Sequence, residues 1–205
     1  MSHSDYVLSE STVNSNPIEE FKSWFQEAID AQLPYHDAMN LSTVSDDGKP
    51  SGRVVLLRGV DEDGFVFYTN YHSRKAGQLA GNPNAALTFF WPGLERQVRI
   101  EGAVVKTTSK QSDEYFATRP RGSQIGAAAS PQSKVLANRE VLEKRVGELY
   151  AEFEGTDVPR PEHWGGYCLK PVRIEFWNNV PDRLHDRLLF SLLEDGSWKM
   201  ERLAP

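Results

Sequence analysis

Cysteine is almost absent from this chain. Cys168 is the only one in 205 residues, so no disulfide can close within it. That suits a reducing compartment, and a cytoplasmic protein is expected. Long apolar runs are missing too. Nothing reaches the roughly 18 residues a spanning helix needs, and no early basic segment leads into an apolar one. Neither a membrane span nor a secretory signal is expected. Positive charge is in the minority: 23 Lys and Arg face 29 Asp and Glu, a net charge of -6. A general nucleic-acid binder needs a broad basic face, so that class is disfavoured. A local basic pocket for a phosphorylated small molecule remains open. The five histidines are scattered, with no H-x-x-x-H pair and no Cys/His cluster at zinc spacing, so no metal is expected. No G-x-S-x-G elbow, Walker loop or G-x-G-x-x-G is present. Cys168 stands in an apolar strand context, which points to core rather than nucleophile.

What is present reads as one globular domain. Apolar residues make up 39% and charged residues 25%. Residues 1–16 are polar and rich in Ser and Asn, and are expected to form a flexible arm ahead of a single domain over 17–205. Pro17 suits the first turn of a helix over "PIEEFKSWFQEAIDAQL", with Phe21, Trp24, Phe25 and Ile29 on its core face. From residue 38 the period shortens. "AMNLSTVS", "GRVVLLRGV" and "FVFYTN" read as a strand meander, and a short helix capped by Ser73 follows. "NAALTFFW" and "LERQVRIEGAVVKT" add two strands. Helical pieces broken around "RPRGSQIG" occupy 109–154, and β pattern resumes from "YCLKPVRIEFW" to "WKMERL". Strands and helices do not alternate regularly. The reading is therefore mainly β with added helices, an antiparallel barrel with Greek-key features.

Several segments gather cations where an anion would suit them. In "RVVLLRG", Arg53, Val55 and Leu57 share one face, and Val54, Leu56 and Arg58 the other. The two arginines either snorkel at barrel rims or fork onto phosphate at a strand end. In "YTNYHSRKAGQ", Arg74 and Lys75 fall in the first helical turn, where the helix dipole is already positive. A bound anion resolves that conflict; a solvated basic pair is the plain reading. Gln97 lies on a polar stripe with Glu95, Arg99 and Glu101, which reads first as a solvated sheet face, though its amide can meet a heterocycle. Tyr115, Arg119 and Ser123 recur at spacing four and combine phenol, guanidinium and hydroxyl into a phosphate grip, or merely decorate a helix end. Gln132 and Ser133 stand where another helix would start, so Ser133 is either its N-cap or a ligand. In "RLHDR", period-two alternation puts Arg183, His185 and Arg187 on one strand face, with Leu184 and Asp186 on the other.

In their order, "RVVLLRG", "FYTNYHSRKAGQL", "LERQVRIEG", "YFATRPRGSQIGA", "SPQS", "HWGGY", "IEFWNNVPDRLHDR" and "WKMERLAP" cover roughly residues 17–205. This set resembles the pyridoxine/pyridoxamine 5'-phosphate oxidase family. The resemblance implies an FMN-binding split barrel working as a homodimer, with FMN at the subunit interface. It implies oxidation of pyridoxamine or pyridoxine 5'-phosphate to pyridoxal 5'-phosphate, with O2 reduced to H2O2. By position, Arg53, Val54, Val55, Leu56, Leu57 and Arg58 match the family's first FMN-binding stretch. Tyr68, Thr69, Arg74, Lys75, Gln97, Gln132, Ser133, Trp177 and Arg187 match the rest, with Arg74, Lys75 and Ser133 on the FMN phosphate. Arg58, Tyr115, Arg119 and Ser123 match the grip on the substrate phosphate. Arg183, Leu184 and His185 match the segment that holds the substrate ring, with Arg183 and His185 the catalytic pair. In the family's N-terminal arm an Arg precedes a Tyr that closes over the substrate; here Tyr6 offers itself, with His3 near the Arg position. A split-barrel flavin oxidase of another substrate, as in phenazine-pathway relatives, and a flavin- or pyridoxal-phosphate-binding protein without turnover are the alternatives.

Overall fold

The computed structural model describes residues 7–205, so Tyr6 and His3 lie outside the described residues. The first helix, α1, spans Pro17–Asp30. Asn16 caps it, its side-chain oxygen accepting from the Ile18 N–H at 2.9 Å, and Glu19 and Glu20 sit at the positive end. Phe21 and Trp24 plug the sheet. Phe21 meets Phe65 edge-on at 4.8 Å, and Trp24 meets Phe176 at 5.0 Å. Ile29, expected on the same face, is 37% exposed, because the helical period carries it to the edge of the buried stripe.

Nine strands follow: β1 (Ala38–Val44), β2 (Pro50–Leu56), β3 (Gly59–Asp61), β4 (Gly64–Asn70), β5 (Asn84–Trp91), β6 (Arg96–Lys106), β7 (Trp164–Asn178), β8 (Asp186–Leu192) and β9 (Trp198–Arg202). All pairings are antiparallel, in the order β2-β1-β5-β6-β7-β4-β3, with β8 on β7 and β9 on β8. The sheet curls so that β2 returns near β4, giving the expected mainly β, barrel-like architecture. "GRVVLLRGV" is not one strand. The Leu57 N–H donates to the Asp37 carbonyl and the Arg58 N–H to the Val66 carbonyl, so the chain steps from β1 to β4 between them. Arg58 is left at that corner.

β7 organises the molecule. Its first half pairs with β4 and its second half with β8, while its other edge follows β6 from Tyr167 to Asn178. A bulge opposite Gly102 adds one residue to β7 and lets it bend. A Cβ at position 102 would strike the Lys170 carbonyl oxygen, so glycine is required there.

Helix α2 (Arg74–Gly81) lies between β4 and β5; α3 (Ser109–Thr118), α4 (Arg121–Ala129) and α5 (Arg139–Glu152) lie between β6 and β7. Ser73 caps α2 as expected, accepting from the Ala76 N–H. Ser133 caps nothing: it stands in a turn with φ of 70°, and α5 starts later, capped by Asn138. A second apolar cluster of Phe116, Ile125, Leu149, Val158 and Trp164 fixes the helices to the start of β7. Residues 8–16, read from sequence as part of a free arm, lie against the body. Leu8 is fully buried, the Asn14 N–H donates to Glu20 at 2.8 Å, and Arg202 forks onto Glu10. No helix among the described residues is long and apolar enough to cross a membrane.

Candidate functional site

A cleft of about 720 Å³ opens between β2, β4, α3, α4 and the first residue of β7. Eleven of the sequence-predicted residues line it. Val54, Val55, Leu56 and Arg58 come from β2 and its corner, Tyr68 and Thr69 from β4, and Lys75 from α2. Tyr115, Arg119, Ser123 and Gln132 come from the helical insertion. Among the described residues no Asp or Glu lines the cleft, yet three cations do, in a chain of net charge -6.

One cationic corner forms where β4 hands over to α2. Lys75 Nζ donates to Thr69 Oγ1 at 3.1 Å and to Gln132 Oε1 at 2.9 Å. Burial, and then the neighbouring charge of Arg53, pull the Lys75 pKa below the ordinary lysine value. Arg53 does not line the cleft. Its guanidinium lies behind the corner, donating to the Leu41 carbonyl, Thr43, Ser51 and Gln78. Burial lowers its pKa as well, helped by Arg74. Leu57 is buried in the core, while Arg74 and Ser133 are exposed beside this corner. Three cations held together against their own repulsion make a strained arrangement that an anion relieves.

The opposite wall is aromatic. Tyr68 stacks on Tyr115 at 4.0 Å and on Trp164 at 5.3 Å, with the rings nearly parallel. Gly166 makes this possible. A side chain at Gly166 would collide with the Tyr68 ring and the Thr107 hydroxyl. Arg119 lies over Trp164 at 4.6 Å, and its Nη1 is buried without a hydrogen-bond partner among the described residues. Burial lowers the Arg119 pKa; Tyr115 opposes that shift and Arg58 adds to it. An unpartnered buried guanidinium nitrogen is costly, by about 1–3 kcal/mol, and marks where an acceptor belongs. α4 starts alongside with no side-chain cap, and Pro120 and Ser123 of its first turn line the cleft. Arg58, on the same rim, is bound to Asp37 at 2.6 Å. The cleft thus offers two separate anion sites with a flat aromatic wall beside them, which fits a phosphorylated planar cofactor next to a phosphorylated ring.

The remaining predicted residues gather elsewhere. Gln97, Trp177 and Arg187 form one cross-strand row over β6, β7 and β8. The His185 ring lies 4.7 Å from Trp177. Its Nδ1 accepts from the Val180 N–H at 3.2 Å, which leaves the proton of the neutral ring on Nε2. Arg183 and Leu184 precede the strand instead of lying on it. Pro181 opens a 3-10 turn, Asp182 and Arg183 take φ near 60°, and β8 begins at Asp186. The single-strand alternation expected for Arg183, His185 and Arg187 therefore does not hold. Leu184 is 67% exposed. Trp177 lies 13 residues along β7 from Trp164, on the order of 40 Å at strand rise. The row and the cleft stand at opposite ends of one strand.

Sequence reasoning missed seven cleft residues: Asn70, Thr118, Pro120, Gly126, Ala127, Ser130 and Trp164. Only Trp164 carried a local signal, a bulky aromatic directly before two glycines.

Residues 25–153 match the family described as pyridoxamine 5'-phosphate oxidase, and residues 164–205 match the pyridoxine 5'-phosphate oxidase C-terminal dimerisation region. A pyridoxine/pyridoxamine 5'-phosphate oxidase of Nostoc punctiforme is 54% identical over 204 residues, covering 98% of this chain and 95% of its own. The Burkholderia mallei protein of the same name is 56% identical over 200 residues, covering 97% and 93%. Among solved structures, PhzG from Burkholderia lata 383, in complex with tetrahydrophenazine-1-carboxylic acid, superposes with a TM-score of 0.93 at 32% identity over the whole of both chains. A pyridoxamine 5'-phosphate oxidase-related, FMN-binding protein of Nostoc punctiforme superposes at 0.76 with 17% identity, covering 94% of this chain and all of its own, which speaks to the fold. By fold, by both halves of its sequence and by these relatives, the chain belongs to the pyridoxine/pyridoxamine 5'-phosphate oxidase family.

Proposed function

We propose that this protein is an FMN-dependent oxidase that converts pyridoxamine 5'-phosphate and pyridoxine 5'-phosphate to pyridoxal 5'-phosphate. The amine reaction consumes O2 and water and yields NH3 and H2O2; the alcohol reaction consumes O2 and yields H2O2. The observation that carries the reading is the pair of anion sites in one cleft, Lys75 with its partners on one side and Arg119, whose Nη1 has no partner among the described residues, on the other. FMN and a B6 phosphate each bring roughly -1.5 to -2 of charge, so an acidic chain needs two dedicated cationic sites.

When bound, FMN supplies a two-electron acceptor that O2 regenerates; the protein supplies binding, orientation and electrostatics. Arg74, Lys75 and Ser133 hold the cofactor phosphate, backed by Arg53, Thr69 and Gln132. Residues 54–58 and Tyr68 border its ring system. Arg58, Tyr115, Arg119 and Ser123 grip the substrate phosphate, and Arg58 must exchange Asp37 for it. Arg183, Leu184 and His185 lie beside Trp177 and hold the substrate ring from the second copy. Arg183 contributes a fixed charge where negative charge develops, and His185, its Nδ1 engaged by the Val180 N–H, presents its Nε2 edge. Gln97, Trp177 and Arg187 complete the cofactor site from a second copy, because β7 holds them far from the cleft of their own chain. The match to a dimerisation region supports that two-copy site. A single buried thiol and the phosphorylated ligands suit the cytoplasm.

The similarity to PhzG favours a second reading, an oxidase of a non-phosphorylated carboxylic acid, since Arg119 can also hold a carboxylate. Aerobic turnover of flavin-loaded enzyme decides. The proposal expects pyridoxal 5'-phosphate and peroxide from both B6 phosphates, in equal amounts. A flavin-loaded enzyme that leaves both untouched rules the proposal out.

A further inference from the structure

The row Gln97–Trp177–Arg187 has a buried carboxylate behind it. Glu175 shares the Trp177 face of β7, lies opposite Arg99 of β6 in register, and is 6% exposed. Its Oε1 accepts from Arg187 Nε at 2.9 Å and lies 2.9 Å from Nη2, while Oε2 accepts from Arg99 Nη1 at 3.1 Å. Arg187 Nη1 donates to the Ala204 carbonyl at 2.8 Å. A guanidinium has five N–H groups in a rigid fork. Nε donates to Glu175 and Nη1 to Ala204, with Nη2 held against the same Glu175 oxygen, so the N–H groups that remain are left in one plane and one orientation.

We propose that Glu175 is a positioning residue for Arg187: it fixes the guanidinium so that its remaining N–H groups meet FMN already oriented. The inference rests on the assignment of Arg187 to the cofactor made above. An arginine side chain left to itself samples many rotamers, and holding it costs free energy at the moment of binding. Glu175 bears that cost during folding. Its side chain is 8% exposed and that of Arg187 25%, so this charge-assisted pair is only partly screened by water. Arg99 engages the other oxygen and keeps the carboxylate from turning. A merely structural role, cross-linking β6, β7 and β8 around a buried charge, would act on stability and leave Arg187 indifferent.

A double-mutant cycle on FMN affinity separates the two roles. FMN is titrated into the apo forms of the wild type, Glu175→Gln, Arg187→Ala and the double variant. Glu175→Gln keeps shape and volume but loses the charge-assisted fork. It is expected to weaken FMN binding about tenfold in the wild-type background and less than about twofold in the Arg187→Ala background. Equal losses in both backgrounds overturn the inference and leave Glu175 a structural cross-link. If Arg187→Ala alone leaves FMN affinity unchanged, the cofactor role of Arg187 fails first, and the inference falls with it. Should Glu175→Gln not fold, Glu175→Asp keeps the charge and shortens the reach; the same dependence on Arg187 is expected from it, and its absence is equally decisive.

Discussion

Replacing Arg119 by alanine removes the guanidinium whose Nη1 has no partner and whose plane rests on Trp164 at 4.6 Å. Two effects on stability oppose each other. Losing the contact with the indole ring costs about 0.5–1 kcal/mol. Removing a buried unpartnered donor returns about 1–3 kcal/mol. The apo variant should therefore unfold at the wild-type temperature or slightly above it. Turnover behaves differently. A hydrogen bond from a charged donor to phosphate is worth about 1.5–3 kcal/mol. At 1.36 kcal/mol per decade, kcat/KM for pyridoxine 5'-phosphate should fall about 10- to 150-fold. Unphosphorylated pyridoxine never uses this contact, so its kcat/KM should hardly move. The assay is steady-state oxidation of both compounds by the same FMN-saturated enzyme, with thermal unfolding measured alongside. An equal fall for both compounds refutes the assignment of Arg119 to the substrate phosphate. A collapse of the unfolding temperature refutes the claim that this guanidinium waits for a ligand.

Lys75 sets a pH dependence. Its pKa is lowered by burial and by Arg53, so it loses its proton below the ordinary lysine value. Between the lowered and the ordinary value the unfolded chain holds more protons, so this group makes the apo fold more stable as pH rises. FMN affinity should move the other way and weaken over that window; Lys75→Met should bind FMN weakly and with a flatter profile, and an unchanged slope contradicts the phosphate role. Glu10 is held down to about 2, first by its hydrogen bond with Arg202, so the pair stays charged at any ordinary pH. Glu10→Gln should speed protease cleavage ahead of Asn16 without moving the main unfolding transition, and an unchanged cleavage rate removes this contact as the arm's anchor. Trp164 is 6% exposed, stacks with Tyr68 and Tyr115 and meets Phe116 edge-on; Trp164→Ala should cost about 3–5 kcal/mol in denaturant unfolding, with Trp164→Phe costing clearly less. A loss below about 1 kcal/mol would deny the stack its place in the fold.

Most strands and the first two helices were legible because their signals are local. Pro17, Ser73 and the strand periodicities act over a few residues, and nothing distant overrides them. The errors lie where local pattern and tertiary placement part. Ser133 has the chemistry of a cap, yet its backbone turns left-handed and Asn138 takes the role. The charges of Arg183, His185 and Arg187 alternate as a strand would, but Pro181 and two left-handed residues delay β8 until Asp186. Of the candidate site, local pattern showed the residue types, and the grouping of Arg58, Tyr115, Arg119 and Ser123 in one cleft came with the family resemblance. Nothing near Gln97 says that it shares a row with Trp177 and Arg187, because that row exists only once three strands are in register. Glu175 was hidden for the same reason: its burial comes from Arg99 and Arg187, which approach from two other strands.

The most direct test is the visible absorbance of the purified, FMN-loaded protein before and after anaerobic addition of pyridoxamine 5'-phosphate. The account predicts that the oxidised flavin band bleaches and that pyridoxal 5'-phosphate appears in step with it, with the band restored when air is admitted. A flavin band that persists unchanged with saturating pyridoxamine 5'-phosphate would contradict it.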